Sequence, residues 1–363
     1  MLSPSGWRDY TVAMDDIVID GRSIGPNSPP YVVAEMSGNH NGDINRAFAL
    51  LEAAKTSGAD AVKLQTYTAD TITIDHDGPD FVIAGGPWGG RTLHDLYREA
   101  HTPWEWHAPL FQRARSLGLS IFSSPFDGSA VDLLEGLGAP AYKIASFELI
   151  DLPLVRRVAA TGKPLIMSTG MAHLGEIQEA VAAARGAGCR DLILLHCVSG
   201  YPTRPEDSNL RTIPHLAQAF GVQTGLSDHT LGVAVSVASV ALGATFIEKH
   251  FTLKRTDGGP DAAFSLEPDE LNALVEGVRT AWAALGRVSY DLAPSERDNL
   301  QFRRSLYVVA DMAAGEAFTE ANLRSIRPGH GMAPKHLPDI IGRRATRAVA
   351  RGTPLSWNMV TEI

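Results

Sequence analysis

The chain has 363 residues, of which 44% are hydrophobic and 20% charged, with only two cysteines, Cys189 and Cys197. That composition excludes a disordered or fibrous chain and a disulfide framework, and no apolar run approaches the roughly 20 residues that span a bilayer. A formal net charge of −9 argues against nonspecific nucleic-acid binding, so neither nucleic acid nor a membrane is an expected partner.

The opening stretch, MLSPSGWRDYTVAMDD, has no apolar core and no basic leader. No signal peptide is expected, and the low cysteine count suits a reducing cytoplasm. IVIDGRSIG, residues 17–25, reads as a small hairpin. From there the chain alternates short apolar strands with amphipathic helical stretches such as NRAFALLEAAKTSG. The strands are expected at 31–35, 61–65, 119–124, 141–146, 164–169, 192–197, 222–227 and 246–251. Several helical stretches end at Gly just before the next strand, as helix C-caps do. Eight β/α units in this span predict an α/β fold, a closed (β/α)8 TIM barrel. A doubly wound open sheet is the competing arrangement, but no G-x-G-x-x-G turn follows the first strand. The long connection 66–118 is expected to carry extra helices and a lid.

Near residue 290 the alternation stops and the charge balance changes. Residues 1–289 hold 22 Lys+Arg against 33 Asp+Glu, whereas residues 290–363 hold 10 against 8. Residues 1–288 therefore read as the barrel domain, 289–299 (SYDLAPSERDN) as a linker and 300–363 as a small second domain.

In such a barrel, the chemistry gathers at the C-terminal strand ends. Read in order, those ends carry Glu35, then Lys63 with Gln65, Ser123 with Ser124, Lys143 with Ser146, and Ser168 with Thr169. His196 to Ser199, Ser227 to His229 and Glu248 to His250 complete the circuit. Lys63 and Lys143 stand within apolar strands, where burying a lone ammonium is costly. Either each lysine is paired with a nearby carboxylate, or the two serve, with several hydroxyls, as a phosphate or carboxylate site. A Schiff-base lysine suits two lysines among so many serines less well. His229 and His250 end the seventh and eighth strands, neighbours in a barrel, with Glu35 on the next strand round. One histidine there is usually a hydrogen-bonded core residue, but this pair has the composition of an N/O divalent-metal site. Asp228 is expected either to orient His229 or to cap the following helix.

The strings AEMSGNHNGD, GADAVKLQTY, FSSPFD, YKIASFE, STGMA, GLSDHTLG, IEKHFTL and DGGPDAAFSLEP occur in the order found in sialic-acid synthases. The chain resembles that family from residue 17 to its end, including the family's C-terminal antifreeze-like (SAF) domain. Members condense phosphoenolpyruvate with an amino-sugar aldose into a nonulosonic acid. GGRTLHDLYREAHTPWEWH is similar to the branch that makes pseudaminic acid from 2,4-diacetamido-2,4,6-trideoxy-L-altrose, while His196 is more akin to the N-acetylneuraminate and legionaminate branches. The resemblance implies that Lys63, Ser124, Lys143, Ser146, Ser168, Ser199, Tyr201 and Ser227 surround phosphoenolpyruvate. It further implies that His229 and His250 hold Mn2+ or Mg2+, and that Glu35, Gln65 and Asp261 face the sugar and the reacting water. Arg327 would reach from the C-terminal domain into the partner subunit's site to grip the sugar, in a domain-swapped homodimer. A metal-dependent aldolase, a sugar-phosphate isomerase or a non-catalytic sugar- or ice-binding protein are the rival readings.

Overall fold

The computed structural model describes residues 15–362, so the stretch judged to lack a leader lies almost wholly outside the described residues. Asp20 and Gly21, at φ 46° and 77°, turn the chain between β1 (Ile17–Ile19) and β2 (Arg22–Ile24). Two positive φ values in a two-residue turn match the twist of a hairpin, which explains a DG pair at this point. Eight parallel strands follow: β3 (Tyr31–Glu35), β4 (Ala61–Thr66), β5 (Ser120–Pro125), β6 (Tyr142–Ile144), β7 (Leu165–Ser168), β8 (Leu192–Cys197), β9 (Gln223–Asp228) and β10 (Phe246–His250). β10 pairs back onto β3, from Phe246 opposite Tyr31 to His250 opposite Glu35, and closes the barrel. That seam rules out the open doubly wound sheet. The fourth barrel strand differs most from its sequence outline. β6 ends at Ile144 because the backbone turns at once into a 3-10 helix, Ser146–Glu148.

The strands are buried on both faces, which accounts for their nearly continuous apolar runs. Outward residues such as Val32, Leu64, Ile121 and Leu194 pack under helices including Ile44–Thr56 and Leu174–Gly186. Inward residues Tyr31, Val33, Phe122, Ile166, Ile193 and Phe246 form a second cluster with Ile17, Ile19 and Ile24 of the hairpin. The hairpin therefore plugs the N-terminal mouth, and only the C-terminal mouth remains for polar side chains. The connection 66–118 carries the extra helices Ala69–Ile72 and Leu93–Ala100 ahead of the barrel helix Trp104–Ser116.

Side-chain alternation then sorts the polar strand ends. Glu35, Lys63, Gln65, Ser124, Lys143, Ser168, Cys197, Ser227, Glu248 and His250 share the parity of the interior apolar residues. Ser123, His196, Asp228 and Lys249 have the opposite parity and face the helices. Ser123 meets Thr66, which also meets His107, and His196 Nε2 meets the Ser208 carbonyl at 2.6 Å.

The chain divides into two compact units between Gly286 and Arg287. Within the second, the segment read as a linker, 289–299, folds from Pro294 onward into an exposed 3-10 helix, Pro294–Phe302. β11 (Ser305–Val308) and β12 (Leu323–Ile326) pair antiparallel over a core of Leu306, Val308, Phe318, Leu323, Ile340 and Leu355. No helix among the described residues is long and apolar enough to cross a membrane.

Candidate active site

The two lysines, alike in sequence, have different surroundings. Lys63 Nζ lies 2.7 Å from Glu35 Oε2 and 3.5 Å from Glu248 Oε1, and donates to Ser124 Oγ at 3.2 Å. Gln65 Nε2 donates to Glu35 Oε1 at 3.0 Å. Burial favours a neutral Lys63, but Glu248 and Glu35 outweigh it and hold the ammonium charged, above its ordinary range. Burial raises Glu35, with Lys63 opposing and Glu248 adding to the rise. Lys63 is thus paired with two carboxylates, which does not bar its ammonium from an anion as well. Lys143 is 2% exposed and donates only to the Ile144 carbonyl, at 3.0 Å. Among the described residues no carboxylate comes within ion-pair distance of it, and burial lowers its ammonium. Glu248 opposes that lowering only from beyond pairing distance, and a buried cation with no directly paired carboxylate is the stronger mark of an anion site.

The same strand-end rim carries polar atoms that have no partner. Ser168 Oγ, Ser199 Oγ, Glu248 Oε2 and His250 Nδ1 are buried and unbonded. Native interiors leave few such groups, and several at one strand-end rim mark a place where a ligand supplies the partners. Gly170 N donates to Ser146 Oγ at 3.1 Å, and a Cβ on Gly170 would collide with both Ser146 Oγ and Ser199 Oγ. Glycine alone lets those two hydroxyls flank it. Ser227 is buried with interior parity on β9.

The imidazoles of His229 and His250 are brought together, with ring centroids 5.3 Å apart. His229 Nδ1 sits 2.9 Å from the Val198 carbonyl, which only accepts, so Nδ1 carries a proton; burial opposes the charged ring, but Cys197, Val198 and Glu248 outweigh it and raise His229 above its ordinary range. Burial, followed by the charges of His229 and Lys63, pushes His250 well below its ordinary range, so it is neutral and can donate a lone pair. Asp261 Oδ2 is 3.9 Å from His250 Nδ1 and in close contact with Ser37 Oγ. Burial, then Glu35, pushes Asp261 up to about 7. Glu35, the carboxylate expected beside the histidines, is engaged by Lys63 and Gln65 instead. No group of three or more His, Cys, Asp or Glu among the described residues is arranged to hold a metal ion by itself. The two adjacent imidazoles and the unpartnered His250 Nδ1 nevertheless fit an ion that keeps water or substrate oxygens as its other ligands.

Asp228 does neither task expected of it. Its carboxylate accepts from Lys249 Nζ, Ser236 Oγ and the Thr230 amide and hydroxyl, all within 2.8 Å. The Val198 carbonyl orients His229, and Val233 precedes the helix Ala234–Val240. The reason is parity, since Asp228 points away from the barrel interior. Tyr201 packs against His229 with ring centroids 4.5 Å apart and the planes tilted by 53°. Arg327 follows β12 in the second unit, exposed. Sequence reading gave no role to Glu248 or Cys197. Glu248 is the second carboxylate on Lys63, and Cys197 Sγ lies 3.8 Å from His229 Nδ1. The period of two, counted back from His250 and from Ser199, marks both.

Residues 50–290 match the model of the NeuB family, and residues 303–361 match that of the SAF domain. A pseudaminic acid synthase of Helicobacter pylori is 45% identical over 90% of this chain and 97% of its own. An N,N'-diacetyllegionaminic acid synthase of Legionella pneumophila is 36% identical over 91% of this chain and 94% of its own. The crystal structure of an N-acetylneuraminic acid synthetase from Leptospira borgpetersenii superposes with a TM-score of 0.71 at 30% identity, covering 80% of this chain and 96% of the other. The barrel, its polar rim and these likenesses agree, and the chain belongs to the NeuB family.

Proposed function

We infer that this protein is a pseudaminic acid synthase, a phosphoenolpyruvate-dependent C–C bond-forming transferase. It joins phosphoenolpyruvate, 2,4-diacetamido-2,4,6-trideoxy-L-altrose and water to give pseudaminic acid and phosphate. The substrate follows from the 45% identity to a pseudaminic acid synthase against 36% to a legionaminic acid synthase. The reaction class rests above all on Lys143, a buried ammonium beside unpartnered serine hydroxyls, which asks for a small, strongly anionic ligand.

Lys143 and Lys63, with Ser124, Ser146, Ser168, Ser199 and Ser227, bind the phosphate and carboxylate of phosphoenolpyruvate. Tyr201 lies over the site. His229 and His250 would hold the divalent ion, and imidazole donors favour Mn2+ over Mg2+. When bound, that ion supplies Lewis acidity toward the sugar aldehyde. The methylene carbon of phosphoenolpyruvate bonds to the aldehyde carbon, leaving positive charge at C2 of phosphoenolpyruvate. The aldehyde oxygen takes up a proton to become a hydroxyl, and that proton is made good by the one that water later gives up. Water adds at C2, its proton passing to a carboxylate, and the bond between C2 and the phosphate oxygen breaks to release phosphate. Of the two candidate carboxylates, Asp261, at about 7, is poised to take a proton near neutral pH, whereas Glu35 is held by Lys63. Gln65, which donates to Glu35 Oε1 at 3.0 Å, would face the sugar together with it.

The test is phosphate release with 2,4-diacetamido-2,4,6-trideoxy-L-altrose beside N-acetylmannosamine and the D-mannose analogue. Release is expected to need both substrates, to stop on chelation and to return with Mn2+. Equal or better turnover of either competitor would sink the substrate assignment, and full activity of His250→Ala after chelation would sink the metal. The family resemblance further assigns Arg327 to the partner's site in a cytoplasmic, domain-swapped homodimer. Co-expressed Arg327→Ala and Lys143→Met chains should then regain part of the activity that each lacks alone, and no recovery would refute the exchange.

A further inference from the structure

The loop after β4 places one large aromatic residue at the rim. Val82 and Thr92 bridge antiparallel, Ile83 N donates to the Arg91 carbonyl at 2.9 Å, and Gly90 N donates to the Ile83 carbonyl at 2.8 Å. Between them runs AGGPWGG, in which Trp88 is the only bulky side chain. Its half-buried indole Nε1 donates to the Pro260 carbonyl at 2.9 Å, tying this loop to the one that carries Asp261. The ring lies 5.6 Å from Tyr201, which is 5.2 Å from Phe264, and Phe264 is 5.0 Å from His250. A continuous aromatic face thus runs from the two imidazoles outward to Trp88. No function described above uses its outer end.

We propose that Trp88 is a specificity-determining residue, forming the apolar wall against which the 6-deoxy, acetamido-bearing edge of the sugar packs. This rests on the synthase reading. A C6 methyl or acetamido methyl gains contact on an indole face, whereas a hydroxymethyl or free hydroxyl there loses its water without gaining a partner. One methyl-sized difference in such a pocket is worth roughly 10- to 200-fold in kcat/KM. The hydrogen bond to Pro260 fixes the ring before substrate arrives, so the wall is rigid and discriminates by shape.

The experiment compares wild type, Trp88→Ala and Trp88→Phe by phosphate release. Each is assayed with the 2,4-diacetamido-2,4,6-trideoxy sugar and with its 6-hydroxy analogue, which keeps both acetamido groups. Trp88→Ala is expected to raise KM for the deoxy sugar at least about tenfold and to reduce its preference over the hydroxy analogue. KM for phosphoenolpyruvate should stay unchanged, and Trp88→Phe should recover most of the preference. An unchanged sugar KM, an equal loss on both sugars, or a parallel rise in KM for phosphoenolpyruvate overturns the proposal. Failure of wild type to turn over either sugar would instead count against the synthase reading.

Discussion

Lys143→Met is expected to make the protein more stable and nearly inactive. The ammonium it removes is buried, bonded only to a backbone carbonyl, and has no carboxylate at ion-pair distance among the described residues. Methionine fills a similar volume without the desolvation cost, so thermal unfolding of the ligand-free protein should move up by a few degrees, on the order of 2–5 °C. Activity should move the other way. Losing one preorganised cationic donor to a reacting phosphate costs roughly 10²–10³ in rate, so kcat/KM for phosphoenolpyruvate should fall by about that factor. Phosphoenolpyruvate should also cease to raise the melting temperature of the variant. Lys63→Met is the control that separates the two lysines. It leaves Glu35 and Glu248 buried together without the one cation that pairs directly with both, and should lower stability. If both variants were destabilised alike, the contrast drawn between the lysines would be wrong.

The second large effect belongs to a pair that touches no substrate. Asp228 and Lys249 are almost fully buried and 2.8 Å apart, and Lys249 Nζ also donates to the Thr230 carbonyl at 2.6 Å. Each residue directly precedes one of the two histidines. Removing one partner of such a pair leaves a buried charge alone, typically about 3–5 kcal/mol. Asp228→Ala should therefore lower the melting temperature by roughly 10 °C. The effect has a pH signature. Burial works against the Asp228 carboxylate, but Lys249, Ser236 and the Thr230 amide outweigh it and hold the group below its ordinary range. A depressed carboxylate stabilises the fold above its unfolded value, about 3.9, and loses that contribution as pH falls through the folded value. The stability gap between wild type and Asp228→Asn should thus be full near neutrality and close below about pH 4. Melting curves from pH 3 to 8 check it, and a gap constant with pH would remove the ion pair as the cause.

The barrel was legible because eight apolar runs separated by amphipathic helices leave few other folds. The rim was legible as a collection, since strand ends bearing Lys, Ser, Glu and His stand out against apolar neighbours. What sequence could not reach was the direction and pairing of those groups. Asp228 and His229 are adjacent and equally polar, yet one faces the helices and the other the site, because a strand turns every second residue away. Lys63 and Lys143 look alike in AVKLQ and AYKIA, and only the closed barrel decides that Glu35 and Glu248 both reach Lys63. Those three residues come from strands at the two ends of the barrel sequence. Trp88 sits in a glycine-rich stretch with no periodicity, so nothing local aims it at Pro260.

The seam between β10 and β3 has a consequence for how the molecule is assembled. A nascent chain that has not yet added Phe246–His250 already holds both lysines and every serine of the anion site, but Lys63 has only Glu35 for company, and His250 does not yet exist. The contacts that finish the site join residues 185 (Lys63 to Glu248) to 215 (Glu35 to His250) positions apart, and such closures come late and slowly. Charge balance at Lys63 and zipping of the last strand are therefore one event. Partly built chains have an open edge on each side of the sheet until the final strand arrives, and it is in that interval that they are most exposed to pairing with one another.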